Sequence, residues 1–150
     1  MSLSNVDRLM YQTIDSWQRE DNEILCNNKK SFMYVISQME HILSQEFRSR
    51  TEWFQIGDTF VKAFDNSPTS SIPPTYPYDS RMKMEISFHE NMFRITEANR
   101  EIVSLKLDEN GVPNFGFGKE YTYSQTHKRI RHKFKCRCLY GFDLTKQEAT

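Results

Sequence analysis

The sequence predicts an α+β domain: two or three N-terminal helices packed on a C-terminal antiparallel sheet of four to six strands, arranged as a roll or cone. Three observations support this. Apolar residues recur at helical spacing in the first part of the chain, a proline-rich segment follows, and alternation of period two then continues to the C-terminal part. We expect a single domain over 1–150, with a helical part at 4–65, a crossover at 66–79 and a sheet at 80–144.

The composition indicates a folded chain despite its polar character. Of 150 residues, 37% are apolar, and the mean hydropathy is −0.72. Such values are typical of highly solvated or disordered chains. Eleven Phe, seven Tyr and two Trp supply large side chains for a core, however. We therefore predict an ordered domain with a strongly polar surface.

Apolar spacing predicts the helices. The first begins at Ser4, a good N-cap residue, and continues to Trp17, and Asn27-Asn28 then interrupts the pattern. A second helix, capped by Ser31, has the clearest apolar stripe: Phe32, Val35, Ile36, Met39, Ile42, Leu43 and Phe47. A third helix is predicted from Thr51, with a strand as the alternative because Gly57 would weaken a helix there.

The second half of the chain predicts strands and turns. The crossover at 66–79 contains four of the five prolines. Met82 to His89 alternates apolar and polar residues, a short strand follows at Met92 to Thr96, and Val103 to Leu107 lines the next. The motif Asp-Glu-Asn-Gly at 108–111 is a turn signal, and extended chain is predicted to continue beyond it.

The last predicted strand is the segment KRIRHKFKCRCLYGF at 128–142. As a strand, it would place apolar residues and thiols on one face and cations on the other. Successive cations on that face would be about 6.6 Å apart. The cations of this predicted row are Arg129, Arg131, Lys133, Lys135 and Arg137. The distribution of charge supports a specialised surface, because the net charge is −5 over residues 1–120 and +5 over residues 121–150.

These five cations form the predicted binding site. The favoured hypothesis is a non-enzymatic interaction protein whose basic row contacts an acidic partner or a nucleic acid, whose phosphates repeat at a comparable spacing. Phe115, Phe117, Tyr121 and Tyr123 would then be available to stack on bases. Three alternatives explain the same row without a partner. The cations could form an ordinary solvated strand face, protect the sheet against edge-to-edge aggregation, or pair with the acidic first part of the chain.

Two other function classes remain open. One is a small-ligand binder or enzyme with a pocket between helices and sheet, lined by Met82, Met84, Phe88, Phe93, Phe134 and Trp53. The other is a self-associating protein, for instance a homodimer. A zinc site built on His132, Cys136 and Cys138 lacks the usual spacing, so neither a metal nor a cofactor is predicted.

Cysteine count and hydropathy suggest the cellular setting. Three cysteines, an odd number, do not form a disulfide framework, and reduced thiols suggest a cytoplasmic protein. The sequence contains no apolar run near the roughly 20 residues of a membrane-spanning helix, so no membrane partner is predicted.

Overall fold

The computed structural model describes residues 23–49, 53–65, 82–97, 100–118 and 125–142, together with positions 8 and 12. The elements in chain order are α1 (Glu23–Glu46), β1 (Arg48–Ser49), β2 (Phe54–Ile56), β3 (Thr59–Asp65), β4 (Met82–Ser87), β5 (Met92–Glu97), β6 (Arg100–Leu107), β7 (Pro113–Phe117) and α2 (Gln125–Gly141). The predicted α+β class is confirmed. The helix order is different: among the elements within residues 23–142 that the structure describes, one helix precedes the sheet and one follows it.

The strands form one antiparallel sheet in the order β1-β3-β4-β5-β6-β7, and β2 also pairs with β3. Because the short segments β1 and β2 both pair with β3, seven segments occupy six strand positions. From β3 to β7 each strand pairs antiparallel with the next one in the chain. Only short segments separate the strands from β4 to β7, whereas sixteen residues separate β3 from β4. Within the described residues, β7 lies at one edge of the sheet.

The core lies between one face of the sheet and the two helices. Strand register aligns a row of apolar side chains across five strands: Phe60, Ile86, Phe93, Leu105 and Phe115. These side chains join the apolar faces of α1 and α2 in a single buried cluster, with Phe115 packed at its margin. The strands predicted at β4, β5 and β6 are confirmed, but β4 is buried on both faces, since Lys83 and Ser87 are each 4% exposed. The turn at 108–111 is also confirmed: the Asp108 carboxylate accepts hydrogen bonds from the Asn110 and Val112 amides.

The second predicted helix is confirmed and is longer than expected. α1 begins at Glu23, so Asn27-Asn28 lies inside the helix and does not interrupt it. The Ser31 hydroxyl donates to the Asn27 carbonyl at 3.1 Å, a contact within the helix in place of a cap. Asn28 Nδ2 donates to the Gly111 carbonyl at 2.9 Å, which ties α1 to the β6–β7 turn. The predicted first helix at 4–17 and the crossover at 66–79 lie almost entirely outside the described residues.

The predicted third helix is wrong, because this segment forms the β2–β3 hairpin. Ile56 pairs with Thr59 across a two-residue turn, and Gly57 has a φ of +59° there. The two-residue turns that match the twist of the flanking strands need a positive φ at their first position. Glycine adopts this φ with less steric strain than any other residue. Gly57 therefore reverses the chain, and the strand alternative is correct.

The predicted strand at 128–142 is also wrong, because α2 covers residues 125–141. Ile130, Phe134 and Cys138 are spaced by four residues and form its buried face. Apart from Thr126 and Ile130 the helix has no β-branched residue, and Lys, Arg and Leu are good helix formers. The helix buries the same Phe134 that a strand would have buried.

The two helices lie side by side and antiparallel. Near the end of α2, Gly141 packs so closely on α1 that an added Cβ would lie 2.8 Å from Val35 Cγ2. Two turns earlier, Lys133 Nζ contacts Glu46 Oε1 at 2.6 Å, at the C-terminal end of α1, eleven residues after Val35. A side chain at position 141 would force the helices apart, so the glycine permits this approach.

Candidate functional site

The helix divides the five predicted site cations into two rows. Positions two apart in an α-helix differ by about 200° around the axis, so alternate residues cannot form a single line. Arg131 contacts Gly118 just after β7, and Lys135 contacts Phe117 on β7. With Leu139 they form a line that we call the groove row. Lys133 faces α1. Arg129 and Arg137, four residues to either side, share its side of the helix by spacing, and we call these three cations the α1-side row. The flat cationic face that a strand would have made is absent.

Intramolecular contacts involve several of these cations. The Arg131 guanidinium donates to the Gly118 carbonyl, just after β7. Lys133 pairs with Glu46, which fulfils in part the expectation that basic residues pair with the acidic part of the chain. Lys135 Nζ lies 5.1 Å from the centre of the Phe117 ring and is solvent-exposed. Arg129 is exposed and Arg137 is half-buried.

An apolar groove opens between α2 and β7, with a volume of about 250 Å³. The residues that line this α2–β7 groove are Phe115, Phe117, Phe134, Lys135, Cys138 and Leu139. Phe134 forms its floor through edge-to-face contacts with both strand phenylalanines, at ring distances of 6.3 and 6.0 Å. The rim stays open to solvent, since Phe117 is 41% and Leu139 65% exposed. Exposed apolar side chains that line a concave surface are typical of interaction sites.

Contacts at both ends of α2 hold this geometry. At the start, His127 Nε2 lies 2.5 Å from Glu97 Oε2 at the end of β5. At the end, the Phe142 ring lies 6.0 Å from the Phe115 ring. Because Arg131 contacts Gly118 and Phe142 contacts Phe115, α2 runs alongside β7 in the opposite direction.

The helix also separates the residues of the zinc hypothesis. His132 Nε2 and Cys136 Sγ are 3.7 Å apart, one turn from each other on the outer side of α2. Cys138 lies on the buried side, where burial raises the pKa of its thiol to about 12. Among the described residues, no group of three or more His, Cys, Asp or Glu side chains is arranged to hold a metal ion.

The side chains predicted to line a ligand pocket are mostly core residues. Met82, Met84, Phe93 and Phe134 are fully buried, and Trp53 and Phe88 pack against their cluster. Of this set only Phe134 reaches the α2–β7 groove. A second, polar cavity of about 490 Å³ lies between the β4–β5 and β6–β7 turns, lined by residues such as His89, Asn91 and Asp108.

The sequence identified part of this site. Phe115 and Phe117 were expected to be available for stacking on bases, and they line the groove, whereas Tyr121 and Tyr123 lie outside the described residues. Leu139 falls on the cationic face of the predicted strand by alternation, and no role was predicted for it. Leu139 follows Lys135 by four residues and Arg131 by eight. This helical spacing could have indicated that the three side chains share one face of a helix.

Comparisons with known proteins give no relative for this arrangement: no family model, curated protein or solved structure matches the chain. In the part of the chain that the structure describes, no helix is both long enough and apolar enough to cross a membrane.

Proposed function

We propose that this protein is a non-enzymatic interaction protein whose C-terminal helix contacts an acidic protein partner. The main supporting observation is the charge of α2, whose seventeen residues include six Lys or Arg and no Asp or Glu. A helix this basic favours association with acidic surfaces and accelerates the encounter with them. The proposed contact residues are four of the five predicted from the sequence, Arg129, Arg131, Lys135 and Arg137, because Lys133 pairs with Glu46 of the same chain.

An acidic protein fits this surface better than a nucleic acid. The helix removes the regular row of five cations that would have matched a phosphate backbone, and Lys133 already pairs with Glu46. Beside the remaining cations lie exposed Phe117 and Leu139. An apolar centre with a charged rim is the usual composition of a protein–protein contact, whereas nucleic-acid surfaces are dominated by phosphate-binding cations.

A small-ligand function has weaker support. The volume of the α2–β7 groove, about 250 Å³, is below the roughly 300–1,000 Å³ typical of small-molecule sites. The second cavity, of about 490 Å³, has a polar lining that includes exposed His89 and Asp108, whereas small-molecule sites are mostly apolar. Its lining includes one ammonium group and one thiol, and the thiol stays protonated at neutral pH because burial raises its pKa to about 12. This combination does not supply an acid–base pair for catalysis.

The test is a binding comparison by fluorescence polarisation, using a labelled pool of acidic peptides and mixed-sequence RNA and DNA strands at low and raised salt. We expect the peptides to bind and their affinity to fall with salt, because the contact is partly ionic. Lys135→Glu should weaken binding more than Lys106→Glu, which makes the same charge change at an exposed position on β6. Tighter binding of nucleic acid, or equal effects of the two substitutions, would refute the proposal.

A further inference from the structure

We infer that the partner is an extended acidic segment that adds to the edge of β7 as a further strand and inserts one apolar side chain into the α2–β7 groove. This inference rests on the proposed function, since it specifies the partner of the same surface. Three features of the described residues support it: the backbone of β7, the spacing of the groove row, and the shape and charge of the groove.

The backbone of β7 offers a docking edge. The Gly118 amide donates to the Ile102 carbonyl on β6 at 2.9 Å. Backbone groups alternate in direction along a strand, so those of Phe117 and Phe115 point away from β6. Pro113 lies on this outward side, where the lack of an N–H leaves the β6–β7 ladder intact. An incoming strand can therefore pair with Phe115 and Phe117, as in other cases of strand addition.

The spacing of the groove row matches an added strand. Arg131, Lys135 and Leu139 are four residues apart, a rise of about 6 Å for each step along the helix. Every second side chain of a strand faces the same way, at a spacing of about 6.6 Å. Side chains at alternate positions of the added strand would therefore meet Arg131, Lys135 and Leu139 in turn.

This match predicts a sequence pattern for the partner. α2 runs opposite to β7, so Arg131 lies near Gly118 and Phe142 near Phe115. An antiparallel partner strand, the more stable pairing, would pass Arg131 first and Leu139 last. Its pattern is then acidic, any, acidic, any, apolar. The two carboxylates face the cations, and the apolar residue enters the groove.

The groove favours this occupant over a second copy of the chain. Its lining includes one cation and no acid, and its volume of about 250 Å³ suits a single bulky side chain. Two copies joined through β7 would bring identical cationic rows together, and like charges across an interface oppose association. An acidic segment neutralises the row while covering Phe117 and Leu139, which are 41% and 65% exposed.

The experiment compares three synthetic peptide pools by fluorescence polarisation with the full chain. The in-phase pool has the core Glu-x-Glu-x-Leu with x randomised among small polar residues. The out-of-phase pool has the same composition with both acids shifted by one position, and the third pool replaces Leu with Ser. We expect the in-phase pool to bind about tenfold more tightly than either of the others, a step of the size that one well-placed contact supplies.

Two variants connect this preference to the groove. Leu139→Glu should abolish the preference for the in-phase pool, because it places a carboxylate where the apolar side chain enters. Tyr140→Glu is the matched control, since Tyr140 is 78% exposed and lies outside the groove lining, and it should leave the preference intact. Far-UV circular dichroism verifies that both variants remain folded.

The outcomes separate this inference from the proposed function. Equal, salt-sensitive binding of all three pools would overturn the inference and leave the proposed function standing. Failure of every acidic pool to bind would overturn both. A dimeric mass in the absence of peptide that becomes monomeric in Leu139→Glu would overturn the inference in favour of self-association through this edge.

Discussion

The two helices cover the same face of the sheet but differ in how much of their surface the fold uses. α1 contributes a broad apolar face that the sheet and α2 bury almost completely: Phe32, Val35, Ile36, Met39, Ile42 and Leu43. α2 buries only Ile130, Phe134 and Cys138 and leaves Leu139 and Tyr140 largely exposed. The buried face of α1 therefore contributes to the stability of the fold, whereas the exposed apolar side chains of α2 make little contribution to the core.

Charge strengthens the contrast. Two acids of α1 neutralise cations elsewhere in the fold, since Glu40 binds Lys62 at 2.8 Å and Glu46 binds Lys133 at 2.6 Å. α2 contains no acid at all. If this contrast is correct, substitutions on the buried side of α2 should affect stability, and substitutions in the groove row should affect binding.

The largest stability effect is expected at the floor of the groove. Phe134→Ala should lower the free energy of unfolding by about 3–5 kcal/mol, because it removes a fully buried ring and leaves a cavity beside Phe93 and Phe115. Leu139→Ala, five residues later on the exposed side, should change it by about 0.5 kcal/mol or less. Urea denaturation followed by circular dichroism measures both. Similar losses for the two variants would contradict the assignment of buried and exposed sides.

A smaller effect is expected where the helices meet. Gly141→Val should lower the free energy of unfolding by about 1–3 kcal/mol, since its Cβ would lie 2.8 Å from Val35 Cγ2 and 3.2 Å from Tyr34 Cδ1. Tyr140→Val, at the exposed neighbouring position, is the control and should change stability by about 0.5 kcal/mol or less. The same denaturation experiment applies. A neutral Gly141→Val variant would mean that α1 and α2 are farther apart than described.

The reactivity of the two α2 thiols distinguishes the exposed side of the helix, which carries Cys136, from the buried side, which carries Cys138. At pH 8 Cys136 should react with iodoacetamide at least about tenfold faster than Cys138, whose pKa is raised to about 12 by burial. Peptide mass mapping over a time course gives both rates, and urea should remove the difference. Comparable rates in the native protein would place Cys138 in solvent.

The raised thiol pKa also predicts a pH effect on stability. Between its ordinary pKa of 9.0 and the native value of about 12, the Cys138 thiol loses its proton in the unfolded chain but keeps it in the folded one. The unfolded state then binds fewer protons, so the free energy of unfolding falls as pH rises through this range. Cys138→Ala should flatten this alkaline decline, as measured by urea denaturation at several pH values. An unchanged slope would contradict the prediction.

The smallest effect is expected for the ion pair between the helices. Lys133 and Glu46 are partly exposed, so a double-mutant cycle to Ala should give a coupling energy of about 0.2–1 kcal/mol that decreases with added salt. A cycle between Lys135 and Glu46 is the control and should give a coupling near zero, because Lys135 faces β7. Coupling of equal size in both cycles would mean that the two rows are not separate.

The sequence was sufficient to predict α1 and β4 to β6, where one periodicity dominates. It failed for α2 because period-two alternation of cations does not exclude a helix: a helix places those cations around its exposed circumference while Ile130, Phe134 and Cys138 line its buried side. Helix propensity favours the correct assignment, because Lys and Arg, which are good helix formers, outnumber the β-branched residues in the segment. The cations of the candidate site were named from the sequence and stay a prediction. The groove depends on the packing of α2 against β7, which no local sequence pattern specifies.

The most direct test is a heteronuclear NMR titration of the labelled protein with the in-phase acidic peptide. Strand addition in the groove predicts that the largest amide shifts occur at Phe115, Phe117, Lys135 and Leu139, and that the Phe117 amide becomes protected from hydrogen exchange. Shifts concentrated at the turns of residues 88–91 and 108–111, or an unchanged spectrum, would contradict the account.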